Sequence, residues 1–154
     1  MKNKGFSLVE LIIVIAIMAI LAAAIAPALI RYIDKSRRSD DVAAAETLNT
    51  ATQAALANED AYDEIQSTIA SAGSSGIAIA SAAQGSSFAA SISCPTFLEE
   101  INSSTANKAP SIKYKKNGAS SWKVGVNDAG KPVVWIVTSG GDLELQPSIH
   151  KTYK

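Results

Sequence analysis

The chain has 154 residues, of which 47% are apolar, 18% charged and 6% aromatic, and its 14 Lys+Arg balance 14 Asp+Glu to a net charge of zero. That length holds one small domain and little more, and the neutral balance excludes a strongly basic nucleic-acid binder and a highly charged disordered chain. A single cysteine, Cys94, excludes an intramolecular disulfide framework and a four-cysteine zinc site.

The composition is uneven from the start. Met1–Gly5 carries Lys2 and Lys4 and no acid. From Phe6 to Ile30, 22 of 25 residues are apolar, and Leu11–Ala26 is sixteen apolar residues without a break. As a helix this stretch is about 37 Å long, more than a hydrocarbon core of about 30 Å. Lys2 and Lys4 place the N-terminus in the cytoplasm by the positive-inside rule, against the opposing cluster Arg31, Lys35, Arg37 and Arg38. Two plain readings are a removable secretory signal, with small residues at Ala22-Ala23-Ala24, and a single-pass anchor. Neither accounts for Glu10, because a carboxylate in hydrocarbon costs about 2.5–3.5 kcal/mol and needs a partner. The nearest candidate is an amine. A cut after Gly5 gives Phe6 a positive α-amino group, about a turn from Glu10 in one helix and able to meet the Glu10 of a neighbouring subunit displaced by one step.

Lys4-Gly5-Phe6-Ser7-Leu8-Val9-Glu10, followed by a long apolar helix with Pro27 at matching spacing, resembles the class III signal of type IV prepilins and pseudopilins. The resemblance implies that a prepilin peptidase cuts between Gly5 and Phe6 and methylates the Phe6 amine to N-methylphenylalanine. It implies that Glu10 neutralises the amine of a neighbouring subunit, and that Pro27 marks where helices of assembled pili unwind. Proline alone removes a backbone donor and crowds the preceding turn, so a kink there is expected regardless of family.

Helix signals resume at Asp40. Val42, Ala45, Leu48, Thr52 and Ala55 form a narrow stripe of small residues, with Asp41, Glu46, Asn49, Thr50 and Gln53 mostly off it. One helix is expected from Phe6 to about Ala57, bent or interrupted at Pro27, greasy all round in its first half and amphipathic in its second. Asn58-Glu59-Asp60 reads as a stop and a new start, with a short helix over Ala61–Ala70 ended by Gly73. Ser71–Ser93 holds eight Ser, seven Ala and three Gly in 23 positions and reads as a surface segment anchored by Ile77, Ile79, Phe88 and Ile92. Thr96–Ile101 is another turn of helix.

From Ser111 the period becomes two. Ile112 and Tyr114 alternate with lysines, then Trp122, Val124 and Val126; Val133–Val137 is a fuller apolar run; Leu143 and Leu145 bracket Glu144. Asn117-Gly118, Asn127–Gly130 and Gly140-Gly141-Asp142 between them are turn chemistry. This predicts a four-stranded antiparallel meander with both tryptophans in or near its core. The expected class is α+β and type IV pilin-like, with a long N-terminal helix packed on that sheet. The divisions are a leader 1–5, a membrane and filament-core helix 6–30, an amphipathic half 31–57, a helix-loop region 58–110, and a sheet with C-terminal tail 111–154.

Charge divides too: 31–108 has five basic and ten acidic residues, and 109–154 seven basic and three acidic. These are either solvated faces or opposite patches that meet between successive subunits of a fibre. No residue set supports catalysis, a cofactor or a resident metal. His150 reads as an exposed tail residue, Cys94 as a small partly buried thiol or an intermolecular pair, and Asp128 or Asp142 as a remote calcium candidate. Asp40-Asp41, Asp63-Glu64 and Glu99-Glu100 lack calcium-loop spacing, and Asn102-Ser103-Ser104 matches a weak glycosylation acceptor.

The resemblance implies a non-enzymatic subunit that is held in the cytoplasmic membrane with its N-terminus inside. It would then polymerise noncovalently with itself into a surface pilus for adhesion, twitching motility or biofilm formation. Its other partners would be prepilin peptidase, an assembly platform and a motor ATPase, with no nucleic acid. A pseudopilin of a type II secretion or DNA-uptake machine is the near alternative, and a monomeric membrane-anchored binding domain the distant one. The missing C-terminal cysteine pair suggests a disulfide-free, Gram-positive type.

Overall fold

A computed structural model describes residues 6–154, and the leader with Lys2, Lys4 and Gly5 lies outside the described residues. The chain divides into two compact units after Ser36. The first contains the start of helix α1, Leu8–Ala57, which is fifty residues long and continues through Pro27 without interruption. Proline forfeits one backbone bond there, and the apolar turns on either side keep the rest.

The second unit, Arg37–Lys154, begins with the remainder of α1. Ala45, Leu48, Ala51, Thr52 and Ala55 are buried along one face, and Val42 packs half-buried against the core. Thr52 satisfies its hydroxyl on the Leu48 carbonyl at 2.8 Å. Asp41, expected off the stripe, is fully buried. Asn58 separates α1 from α2, Glu59–Ser71, and caps it by accepting the Asp60 and Ala61 amides at 3.1 and 3.4 Å. Helix α3, Pro95–Ser104, packs against α2.

The antiparallel sheet has five strands in the order β2-β1-β3-β4-β5, one more than the expected four. They are β1 Ile77–Ala83, β2 Ala89–Ala90, β3 Ser121–Val126, β4 Pro132–Thr138 and β5 Gly141–Gln146. The last three are the expected meander. The other two correct the expectation, because β1 and β2 come from the Ser/Ala-rich segment and the Ile112–Tyr114 alternation forms no strand. Alanine is a weak strand former, and the close approach of this strand to its neighbour depends on a glycine there. Where β1 enters the sheet, a register shift between Ala78 and Ala80 brings its backbone directly over Gly125. Any Cβ at Gly125 would land on the Ile77 carbonyl oxygen. Ile79 and Phe88 anchor this segment in the core, whereas Ile77 and Ile92 stay exposed.

The 112–114 backbone spends its donors on side chains instead of a neighbouring strand. The Ile112 amide goes to Gln84 Oε1 at 3.3 Å, and those of Lys113 and Tyr114 go to Asp41 at 2.7 and 3.0 Å. Alternation survives without pairing: Ile112 and Tyr114 face in, Lys113 and Lys115 face out. One core cluster joins Leu48 of α1, Ile65 of α2, Phe97 and Ile101 of α3, and Ile79, Trp122, Val134 and Ile136 of the sheet. Trp122 is fully buried with its indole N–H on the Pro110 carbonyl at 2.8 Å, and Trp135 is half-buried.

Candidate functional site

The sequence places the candidate site at the start of the chain, and within the first unit the geometry there is specific. The Ser7 amide donates to Glu10 Oε2 at 2.9 Å, and the Leu11 amide closes the first helical turn on the Ser7 carbonyl at 3.2 Å. This is the acidic arm of a Ser-x-x-Glu capping box, in which the third helical residue reaches back to the cap amide. Glu10 also lies at the positive end of the helix dipole. The signal was present in the sequence as Ser7 three residues before Glu10, ahead of an apolar run. The sequence expectation pairs Glu10 with a Phe6 amine, in its own helix or in a neighbouring subunit, and the structure adds the nearer Ser7 amide. Phe6 is 84% exposed, and Gly5 lies outside the described residues.

Behind this cap, α1 is long and apolar enough to cross a membrane, with a mean hydropathy of 3.0 over an 18-residue window of which none is buried. From Phe6 to Ile33, seventeen large apolar side chains are exposed. Covering one such side chain is worth about 1.5–3 kcal/mol. Together they exceed the roughly 5–15 kcal/mol by which a domain is stable, so this surface demands lipid or protein around it.

In the second unit, a polar node joins α1 to the segment before β3. Burial pushes the Asp41 carboxyl above its ordinary value, the Lys113 and Tyr114 amides oppose that rise, and Asp40 adds to it. The Arg38 guanidinium lies 4.7 Å from the Tyr114 ring centroid, and Tyr114 meets Tyr153 edge-to-face at 5.8 Å. Tyr153 receives Asn117 Nδ2 at 3.1 Å, and burial pushes its hydroxyl upward. These contacts hold the C-terminal tail and the 112–116 segment to α1, and Arg38 Nε alone among the buried side-chain polar atoms of the described residues has no hydrogen-bond partner.

Beside this node, Arg37, Lys113, Lys115 and Lys116 line an open cleft with Ile112 and Tyr114. The acidic pairs divide their labour. Asp41 sits in the node, Glu64 Oε1 and Oε2 accept the Thr96 and Phe97 amides at 3.1 Å each, and Glu100 Oε1 accepts Asn58 Nδ2 at 3.1 Å. Asp40, Asp63 and Glu99 remain exposed, as do Glu59 and Asp60.

The remaining candidates have structural employment. Cys94 is buried, and burial followed by the Glu64 charge pushes its thiol upward, away from nucleophile behaviour. His150 is half-buried rather than exposed, and its Nδ1 caps the 3-10 turn Lys151–Tyr153 through the Thr152 amide at 3.3 Å. Asn102 Oδ1 accepts the Phe88 amide at 2.7 Å and its Nδ2 donates to the Phe88 carbonyl at 3.1 Å, so the nitrogen of the glycosylation motif is committed. Asp142 pairs with Lys123 at 2.6 Å across the sheet, and Asp128 is exposed in the β3–β4 loop. Among the described residues, no three His, Cys, Asp or Glu side chains are grouped to hold a metal.

Comparison with known proteins bears on the same end of the chain. Residues 1–26 match the model of the prokaryotic N-terminal methylation motif. The chain is also 35% identical over 68 residues to the type IV major pilin protein PilA of Myxococcus xanthus (strain DK1622), a match that spans 44% of this chain and 31% of that protein. No solved structure matches. The chain thus carries the N-terminal methylation motif at its start, a long apolar helix behind it and an antiparallel sheet in its body, and over 44% of its length it is similar to a type IV major pilin.

Proposed function

We propose that the chain is the structural subunit of a type IV pilus and has no enzymatic role. One observation carries this reading: the segment from Phe6 to Ile33, with seventeen exposed large apolar side chains, has its one acid, Glu10, near its start. In the cytoplasmic membrane, lipid covers that surface. In a fibre, the same helices of neighbouring copies cover it, and because the contact joins different faces head to tail it extends as a filament. Prepilin peptidase cuts between Gly5 and Phe6 on the cytoplasmic side, and the N-methylated Phe6 amine of one subunit is neutralised by Glu10 of the next. Pro27, with its missing backbone donor, is where the helix loosens on assembly. An assembly platform and a motor ATPase drive the cycle, and the fibre serves adhesion, twitching motility or biofilm formation.

Mass spectrometry of material sheared from the cell surface tests this. A chain beginning at N-methylated Phe6 is expected. An intact Met1, or a start near Ile25, would overturn the reading. A processed chain that stays in the membrane fraction and never appears in sheared fibres would instead assign it to a pseudopilin of a secretion or DNA-uptake machine.

A further inference from the structure

We infer that the basic cleft of the second unit is a docking site for the exposed acidic residues of the packed helices α2 and α3 of a second copy of this chain, an inference that rests on the filament reading above. The cleft presents Arg37 from α1 with Lys113 and Lys115 from the extended segment before β3. Helices α2 and α3 present Asp60, Asp63 and Glu99, all exposed. None of these six groups is in an ion pair among the described residues, whereas Lys123 and Asp142 do pair on the sheet.

The complement of each cluster is thus present on the same chain but on other elements, which suits a head-to-tail contact that cannot close on itself. Ile112 and Tyr114, both buried beside the cleft, exclude water on one side and strengthen attraction there relative to open solvent. Membrane phosphates could satisfy the cations, but they would leave the carboxylates unmatched. A second copy satisfies both. Charges of this kind fix register and suppress wrong encounters more than they add affinity. The apolar helix therefore supplies cohesion, and the clusters choose which rotation about the fibre axis is accepted.

The test uses the full-length chain in cells that assemble it, with filament yield measured in sheared material. Arg37→Glu with Lys115→Glu, and separately Asp63→Lys with Glu99→Lys, should each lower yield at least about tenfold by placing like charges together. The four substitutions combined should restore yield to within about threefold of the parent. A photo-crosslinker at position 115 in parent filaments should join to α2 or α3 of another copy. Equal yield from either double variant, a combined variant as defective as the doubles, or crosslinks only to lipid or to other faces would each overturn the docking site while leaving the filament reading intact. No filaments from the parent chain would sink both.

Discussion

Asp41 does for residues 112–114 what a neighbouring strand does elsewhere in the sheet. Its two oxygens accept consecutive amides at 2.7 and 3.0 Å, and Gln84 takes the amide before them. The hydrophobic alternation of Ile112 and Tyr114 was legible in the sequence and correctly says which side chains face in. What the amides bond to was not legible, because period-two patterning reports burial and not pairing. The same contact explains why Asp41 is buried although its charge argued for the outer face. Asp41→Ala would leave two amides without acceptors in a dry site, at a cost of about 2–4 kcal/mol. For a unit of this size that lowers the thermal midpoint by roughly 10 °C. The measurement is near-ultraviolet circular dichroism on the detergent-solubilised chain, where the Tyr114–Tyr153 contact should also lose its signal. A midpoint within 2 °C of the parent, on the same scale of about 3–6 °C per kcal/mol, would show the staple to be dispensable.

At the scale of elements, the helices and the last three strands follow their periodicity, and β1 is the main departure. Its seven residues are four Ala, two Ile and one Ser, so composition pointed to a surface segment. What lets its backbone close on β3 is Gly125, remote in sequence, where a Cβ would strike the Ile77 carbonyl. The α2–α3 joint was hidden for a similar reason. Cys94 stands at the cap position of α3 without a side-chain capping bond, and Pro95 follows as the first helical residue. Glu64 of α2 supplies the missing cap from another helix. Burial alone would raise its carboxyl, but the Thr96 and Phe97 donors outweigh this and hold it below the ordinary glutamate value of 4.5. A carboxylate held low stabilises the fold above its unfolded pKa and loses that contribution as pH falls through the folded one. Glu64→Gln should therefore melt several degrees below the parent at neutral pH, with the gap narrowing below pH 4.5. Comparing parent and variant at each pH cancels Asp41, whose raised carboxyl acts in the opposite direction. A gap constant down to acid unfolding would refute the capping role.

For the whole molecule, the N-terminal segment was the most legible part, because hydrocarbon leaves few sequences able to enter it and a single acid stands out. Legibility ended at what that acid touches. Glu10 is the cap of its own helix, through the Ser7 amide, as well as the proposed counter-charge of a neighbour's amine. The two roles make different demands on chemistry. A cap needs only an acceptor oxygen, which glutamine also offers, whereas an amine needs a negative charge. Glu10→Ala removes both and should enter the membrane at least as well as the parent, being relieved of the cost of inserting a charge, yet yield few filaments. Glu10→Gln keeps the cap and removes the charge. If charge selects the axial register, the glutamine variant should insert, be processed at Gly5/Phe6 and then fail to assemble as the alanine variant does. Filaments at parental yield from Glu10→Gln would instead show that the residue acts within its own helix, and that the exposed apolar side chains alone bring the subunits together.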